Sequence, residues 1–287
     1  MFALEASGLR LAYDGHAVLD GIDLALDEGR ILGLIGPNGA GKTSLFNAIL
    51  GFAPHEGRLS VLGLDPWRER DRLMQDVAFM SDVAVLPRWA KVSQTLNYVA
   101  GMHPRFNRAK ADVFLEGTAI PRDARVRELS KGMITQLHLA LVMAIDCRLL
   151  VLDEPTLGLD LVSRKAFYDA LLGDYSEGNR TVVVATHEVE EIQYVLTDFV
   201  FLAHGRTVMA ASMADFEIRF VQLAAAPVGV EAARALHPIS ERHVLGRTIF
   251  LFDGAARDRL TQLGEVRTPS LADLFLSVMA PAEEIAA

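Results

Sequence analysis

The sequence predicts an α/β protein: a largely parallel sheet interrupted by a helical insertion and followed by a small C-terminal α+β domain. Three observations predict it. The runs ILGLIG (31–36), LLVLDEP (149–155) and TVVVATH (181–187) are apolar on both faces, as buried parallel strands are. A helical pattern at about 161–172 lies between the last two, which makes a β-α-β unit. From about 87 to 146 the pattern is helical without a clear strand, punctuated by Pro87, Pro104 and Pro121.

The elements follow in order. GIDLALDEG (21–29) alternates apolar and polar residues and ends in an Asp-Glu-Gly turn, which predicts an exposed strand. After ILGLIG comes GPNGAGKTS, then a short helix that stops at Gly51. GRLSVLG (57–63) reads as an edge strand. DPWRERDRLMQD (65–76) reads as a charged amphipathic helix with a solvated face, and DVAFMSD (76–82) as a strand ending in polar residues. LSKGMITQLHLALVMAI (129–145) opens a long apolar helix with Ser130 as its N-cap. DFVFLAHGRTVMA (198–210) predicts a hairpin. Beyond about Ser212 the signal weakens: VQLAAAP (221–227) and RTIFLF (247–252) suggest strands, and SLADLFLSVMA (270–280) a terminal helix capped by Ser270. The predicted division is a main domain over 1–212, with the helical subdomain inserted at about 87–146, and an accessory domain over 213–287.

Bulk properties narrow the function. The 287 residues suffice for a buried core, and 51% of them are hydrophobic. A net charge of −9 gives no overall footprint for nucleic acid. The short basic stretches RWAKVS (88–93) and RFNRAK (105–110) read as solvated helix faces. Cys147 is the one cysteine, so no internal disulfide or cysteine metal cluster can form. The N-terminal stretch has no basic segment followed by an apolar core, so no signal peptide is expected. The longest apolar run, about 137–145, is closed by Asp146 and Arg148 and falls well short of the ~20 residues that span a bilayer.

GPNGAGKT (36–43) fits the phosphate-binding loop pattern and sits between a strand and a helix, the context that pattern needs. Gly39 and Gly41 let the backbone turn its N–H groups toward phosphates. The helix N-terminus adds its positive end. Lys42 would reach the β- and γ-phosphates and the Thr43 hydroxyl Mg²⁺. Nucleotide contacts are thus assigned to Gly36, Pro37, Asn38, Gly39, Ala40, Gly41, Lys42, Thr43 and Ser44. LLVLDEP delivers two acids at the carboxyl end of a strand, where parallel sheets bind ligands. Asp153 would hold Mg²⁺ through water, and Glu154 would polarise the attacking water. TVVVATH delivers His187 in the same way, where a γ-phosphate sensor could stand; taken alone it is more readily a surface or packing residue. Tyr13, in LAYDG, could stack on a base or simply pack.

In order and spacing these motifs resemble the nucleotide-binding subunits of ABC transporters, over about residues 3–210. The resemblance implies a RecA-like P-loop NTPase core with an antiparallel β subdomain and a helical signature subdomain. It implies Tyr13 as the adenine-stacking aromatic, GPNGAGKT as Walker A, LSKGM as the signature, LLVLDEP as Walker B, Asp160 closing the D-loop, and His187 as the switch histidine. In this family two chains pack head to tail around two ATP molecules. The resemblance therefore places Ser130 and Gly132 on a γ-phosphate held by the partner's Lys42. A capped helix start is already an anion site, so cap and function share one cause.

Two motifs depart from the family pattern, at Lys131 and Met133 in one and at Asp82 in the other. The usual LSGGQ is LSKGM here, and FMSD (79–82) places Asp82 where a glutamine is usual. Asp82 thereby joins Thr43 and Asp153 as a metal-site candidate. An acidic residue there, an LSKGM signature and the tail SLADLFLSVM are similar to the ABC-2 export type. The expected activity is ATP hydrolysis with Mg²⁺, coupled to transport. The expected partners are a transmembrane permease and an identical or related ATPase subunit. The expected location is cytoplasmic, peripheral on the inner face of the cell membrane. The alternative is a soluble ABC-type ATPase serving an assembly process such as an iron–sulfur scaffold. A scaffold without turnover fits poorly with intact Lys42, Thr43, Asp153, Glu154 and His187.

Overall fold

The computed structural model describes residues 1–82, 86–176, 180–244 and 246–279. The chain opens with strands β1 (Phe2–Tyr13) and β2 (His16–Asp27), then β3 (Ile31–Ile35), helix α1 (Lys42–Ile49) and β4 (Glu56–Val61). Strands β1, β2 and β4 form an antiparallel sheet in the order β2-β1-β4. Along β2 exposed residues alternate with buried Leu24 and Leu26, as the alternation in GIDLALDEG predicts. A single turn of helix, α2 (Arg70–Leu73), and strand β5 (Val77–Met80) follow. The helix expected over 65–76 is thus one turn flanked by turns. The Asp65 carboxylate accepts from the Trp67 and Arg68 N–H groups and holds the lead-in as an Asx-type turn. Three-residue bonds from Gln75 to Arg72 and from Asp76 to Leu73 tighten the other end.

The helical segment holds α3 (Val92–Met102), α4 (Arg108–Glu116) and α5 (Lys131–Met143). They pack around their own core, which includes Val92, Leu96, Leu115, Leu137 and Leu141. RWAKVS and RFNRAK straddle the starts of α3 and α4: Val92–Ser93 and Arg108–Lys110 lie on the helices, and the residues before them form the lead-ins. The chain then returns to strands: β6 (Leu149–Asp153), α6 (Leu161–Ser176), β7 (Thr181–Thr186), α7 (Val189–Ile192), β8 (Asp198–Ala203) and β9 (Arg206–Ser212). The central sheet has the order β5-β6-β7-β3-β8-β9; only β8–β9 is antiparallel, as the hairpin requires. Strands β3, β6 and β7 are buried at every residue, which explains why they lack alternation.

The remaining elements are α8 (Met213–Arg219), β10 (Phe220–Ala225), α9 (Val230–Arg234), β11 (Ser240–Val244), β12 (Arg247–Asp253), α10 (Arg257–Leu260), β13 (Gly264–Arg267) and α11 (Leu271–Met279). Strands β10 to β13 form an antiparallel sheet in the order β11-β12-β10-β13. With α9 and α10 this is the split β-α-β, ferredoxin-like arrangement. Helix α11 begins at Leu271, with Ser270 Oγ accepting from the Asp273 N–H at 3.0 Å, as expected of its cap. The last residue predicted for this helix, Ala280, and the tail to 287 lie outside the described residues.

Candidate nucleotide site

The central sheet brings the predicted residues together at one edge. Ile35 at the end of β3 pairs with Thr186 at the end of β7. Asp153 at the end of β6 pairs with Ala185, and Met80 of β5 pairs with Leu152. Four neighbouring strands therefore release the phosphate loop, His187, Glu154 and Asp82 at the same edge. A pocket of about 210 Å³ there is lined by Pro37 to Ser44, Asp82, Asp153 and Glu154, with Val18 from β2. Val18 carries no sequence signal; its backbone explains why residue 41 must be glycine. Gly41 has φ 106°, and a Cβ there would lie 2.9 Å from the Leu19 side chain and 3.2 Å from the Val18 carbonyl oxygen.

Lys42 is 7% exposed. Its ammonium donates to the Gly36 carbonyl at 2.6 Å and the Pro37 carbonyl at 3.3 Å, with Glu154 Oε1 at 3.9 Å. Burial lowers the Lys42 pKa, and the charges of Glu154 and Asp153 pull it back. Thr43 Oγ1 donates to Asp153 Oδ2 at 3.0 Å. Asp153 is 2% exposed; burial raises its pKa to about 6, with Asp82 and Glu154 adding to the shift and Thr43 and Lys42 opposing it. A hydroxyl–carboxylate pair of this kind, with Asp153 buried and Thr43 open to the pocket, is an oxygen donor set suited to a hard cation. Among the described residues no three His, Cys, Asp or Glu side chains converge as a metal cluster. Mg²⁺ at this edge would draw its other ligands from phosphates and water, as it usually does.

Glu154 sits at φ 48°, left-handed for a non-glycine residue, and its N–H donates to the Ala185 carbonyl at 2.9 Å. Such a conformation costs of order 1 kcal/mol and persists where the surroundings impose it. The carboxylate it presents lies 2.9 Å from His187 Nδ1. The edge thus offers a buried cation in an anion cradle, a cation-type oxygen pair and a carboxylate–imidazole pair facing the same space.

Other predicted residues stand elsewhere. Tyr13 is exposed at the end of β1, where its hydroxyl accepts from Asn47 Nδ2 at 3.2 Å, beside α1 rather than in the pocket lining. Ser130 caps α5, its Oγ accepting from the Met133 N–H at 3.2 Å. Asp160 caps α6 by accepting from the Ser163 N–H at 2.8 Å, and that bond lowers its pKa. Gly132 packs against the loop before α6: a Cβ would lie 2.8 Å from the Gly158 carbonyl oxygen. Ser130, Gly132 and Asp160 do not line this chain's own pocket.

The family model described as ABC transporter matches residues 19–157. The taurine import ATP-binding protein TauB of Pseudomonas syringae pv. tomato is 35% identical over 211 residues, which cover 71% of this chain and 79% of that protein. The chain belongs to the ABC transporter family. The Nod factor export ATP-binding protein I of Rhizobium sp. strain N33 is 29% identical to this ABC subunit over 298 residues, covering 96% of each chain. A solved ATP-binding subunit of an ABC transporter shares its fold at a TM-score of 0.68 and 23% identity, covering 75% of this chain and 92% of that one. The predicted fold class stands: a P-loop ATPase core with additional antiparallel and helical parts. As an ABC ATP-binding subunit the protein binds ATP and hydrolyses it to power transport by transmembrane permease components. None of its described helices is long and apolar enough to cross a membrane.

Proposed function

We propose that this subunit powers an exporter by ATP-driven, head-to-tail closure of two ATPase subunits, on the inner face of the membrane. The carrying observation is the split of the site. One edge of the chain holds the phosphate loop, Asp153 and Glu154, while the capped N-terminus of α5, with Ser130 exposed, lies outside that pocket. A second subunit would bring its Ser130 and Gly132 to the γ-phosphate. Tyr13 and Asp160 would also be completed by closure, Tyr13 on the base and Asp160 at the interface. The second subunit is identical or related. The export reading is favoured by extent: the Nod factor export relative aligns over 96% of this chain, the taurine import relative over 71%. The ATPase domain would end near Ser212, with 213–287 as an accessory domain.

In this reading Lys42 leaves the Gly36 and Pro37 carbonyls for the β- and γ-phosphates. Thr43 and Asp153, with Asp82 alongside, would hold Mg²⁺, which would neutralise phosphate charge. Glu154 orients the attacking water and accepts its proton. His187, already paired with Glu154, senses the γ-phosphate. Catalysis is positioning and charge stabilisation.

The test is the solution mass of Glu154→Gln with and without ATP. The expected result is a monomer that becomes a dimer with ATP. A mass unchanged by ATP overturns the closure model.

A further inference from the structure

We infer that Gln193 is a positioning residue through which the C-terminal unit sets His187, an inference that rests on His187 acting at the γ-phosphate. Gln193 is the sixth residue after His187, and α7 lies between them. Helix α7 is a single turn, too short to hold its own place. Its apolar residues Val189 and Ile192 are buried, and two polar anchors fix its direction.

One anchor comes from the ATPase core. The Arg164 guanidinium of α6 pairs with Glu191 and also donates from Nε to the Leu159 carbonyl at 3.0 Å, one residue before Asp160. The other anchor comes from the far end of the chain. Gln193 Oε1 accepts from the Leu271 N–H at 3.0 Å. That N–H is the first of α11, and a helix leaves its first N–H groups without internal partners. Ser270 caps the helix at Asp273, so this donor is satisfied by a side chain from the ATPase core.

Helix α11 is itself tied to the C-terminal sheet. Asp273 accepts from Gln222 Nε2 at 3.2 Å and pairs with Arg242, and Ser240 and Ser277 hydrogen-bond at 2.8 Å. A shift of that sheet moves α11, and α11 moves Gln193. The segment bearing His187, whose Nδ1 lies 2.9 Å from Glu154, is thereby clamped between the Asp160 loop and the C-terminal unit. The unit is an input to turnover and not only an appendage.

The test measures kcat and KM for ATP on the full chain. The variants are Gln193→Met, which keeps the volume and removes the acceptor, Gln193→Glu, which keeps an acceptor oxygen, His187→Ala, and His187→Ala with Gln193→Met. Gln193→Met is expected to lower kcat about fivefold, the rate equivalent of one ordinary hydrogen bond, with KM unchanged. Gln193→Glu restores kcat, and Gln193→Met has no further effect once His187 is Ala. Wild-type kcat in Gln193→Met, or an equal loss with and without His187, overturns the inference. If His187→Ala keeps full turnover, the role of His187 falls and this inference with it. If His187→Ala loses turnover while Gln193→Met does not, only the Gln193 link fails.

Discussion

Asp153 is closed in at the end of β6, and burial lifts its pKa from 3.8 to about 6. A carboxyl whose folded pKa lies above its unfolded value subtracts stability as pH rises. The cost is absent below about pH 4, accumulates through about pH 6 and is complete above it. Asp153→Asn keeps an acceptor for Thr43 and removes the ionisation. Its nucleotide-free melting temperature at pH 8 should therefore rise, by about 3 °C, and lose this part of its pH dependence. The same change removes the charge proposed to hold Mg²⁺, so ATP turnover should fall at least a hundredfold, on the order of a lost electrostatic catalytic group. Scanning calorimetry from pH 5 to 8 and a steady-state ATPase assay check the two halves separately. A lower melting temperature at pH 8 would mean the charged form is stabilised by Lys42 more than burial penalises it. Glu154 differs: its carboxylate is already placed beside His187, so Glu154→Gln should keep nucleotide affinity within about threefold while losing most turnover, by equilibrium binding and rate assays on one preparation.

The N-terminus of α5 carries two claims at the scale of an element, one about stability and one about binding. Ser130 stabilises the helix by accepting from the Met133 N–H; removing such a cap costs about 1 kcal/mol. Aspartate caps as well as serine and suits the positive helix end. Ser130→Asp should leave the melting temperature within about a degree, and yet place a negative charge where the γ-phosphate of a partner-held ATP would lie. In the Glu154→Gln background it should abolish ATP-driven dimerisation while leaving ATP binding to the monomer intact. Light scattering of the double variant decides: a dimer that still forms with ATP removes Ser130 from the shared site. Elements of this kind were legible in the sequence because their signals are local. GPNGAGKT between strand and helix, the acids after LLVLD and the serine before an apolar run each lie within a few residues. The links between elements were not. Gln136 Nε2 donates to Ser163 Oγ at 2.7 Å across 27 positions, and Gln193 reaches Leu271 across 78. No periodicity records such pairs, because Gln136, Ser163 and Gln193 are ordinary polar positions and Leu271 takes part only through its backbone N–H. The misjudged length of α2 has a different, local origin: charge spacing favoured a long helix, and the Asp65 side-chain turn decided otherwise.

Across the whole molecule, the apolar core does not stop where the ATPase sheet ends. Leu271 and Leu274 of α11 are fully buried in the same cluster as Phe199 and Phe201 of β8 and Leu150 and Leu152 of β6. The Phe275 ring meets Phe201 edge-on, with centroids 5.2 Å apart. The C-terminal sheet also has its own core of Val221, Leu223, Phe250, Phe252 and Leu260 on its other face. Two arrangements of stability follow from such a join. If the second core sustains itself, the C-terminal unit melts separately. If α11 is needed to hold Phe220 and Leu251 of the C-terminal sheet against Phe199 and Phe201 of β8, the chain melts as one. The continuity of buried residues through α11 favours the second, because peeling that helix away exposes apolar surface on both sides at once. Phe275→Ala is the discriminating variant: a partly buried ring lost from the join costs about 2 kcal/mol. Calorimetry of wild type should give a single transition, and Phe275→Ala a single transition about 5 °C lower. Appearance of a second, earlier transition in the variant would instead mark the C-terminal unit as an independently folding body, held to the ATPase by this contact and by Gln193.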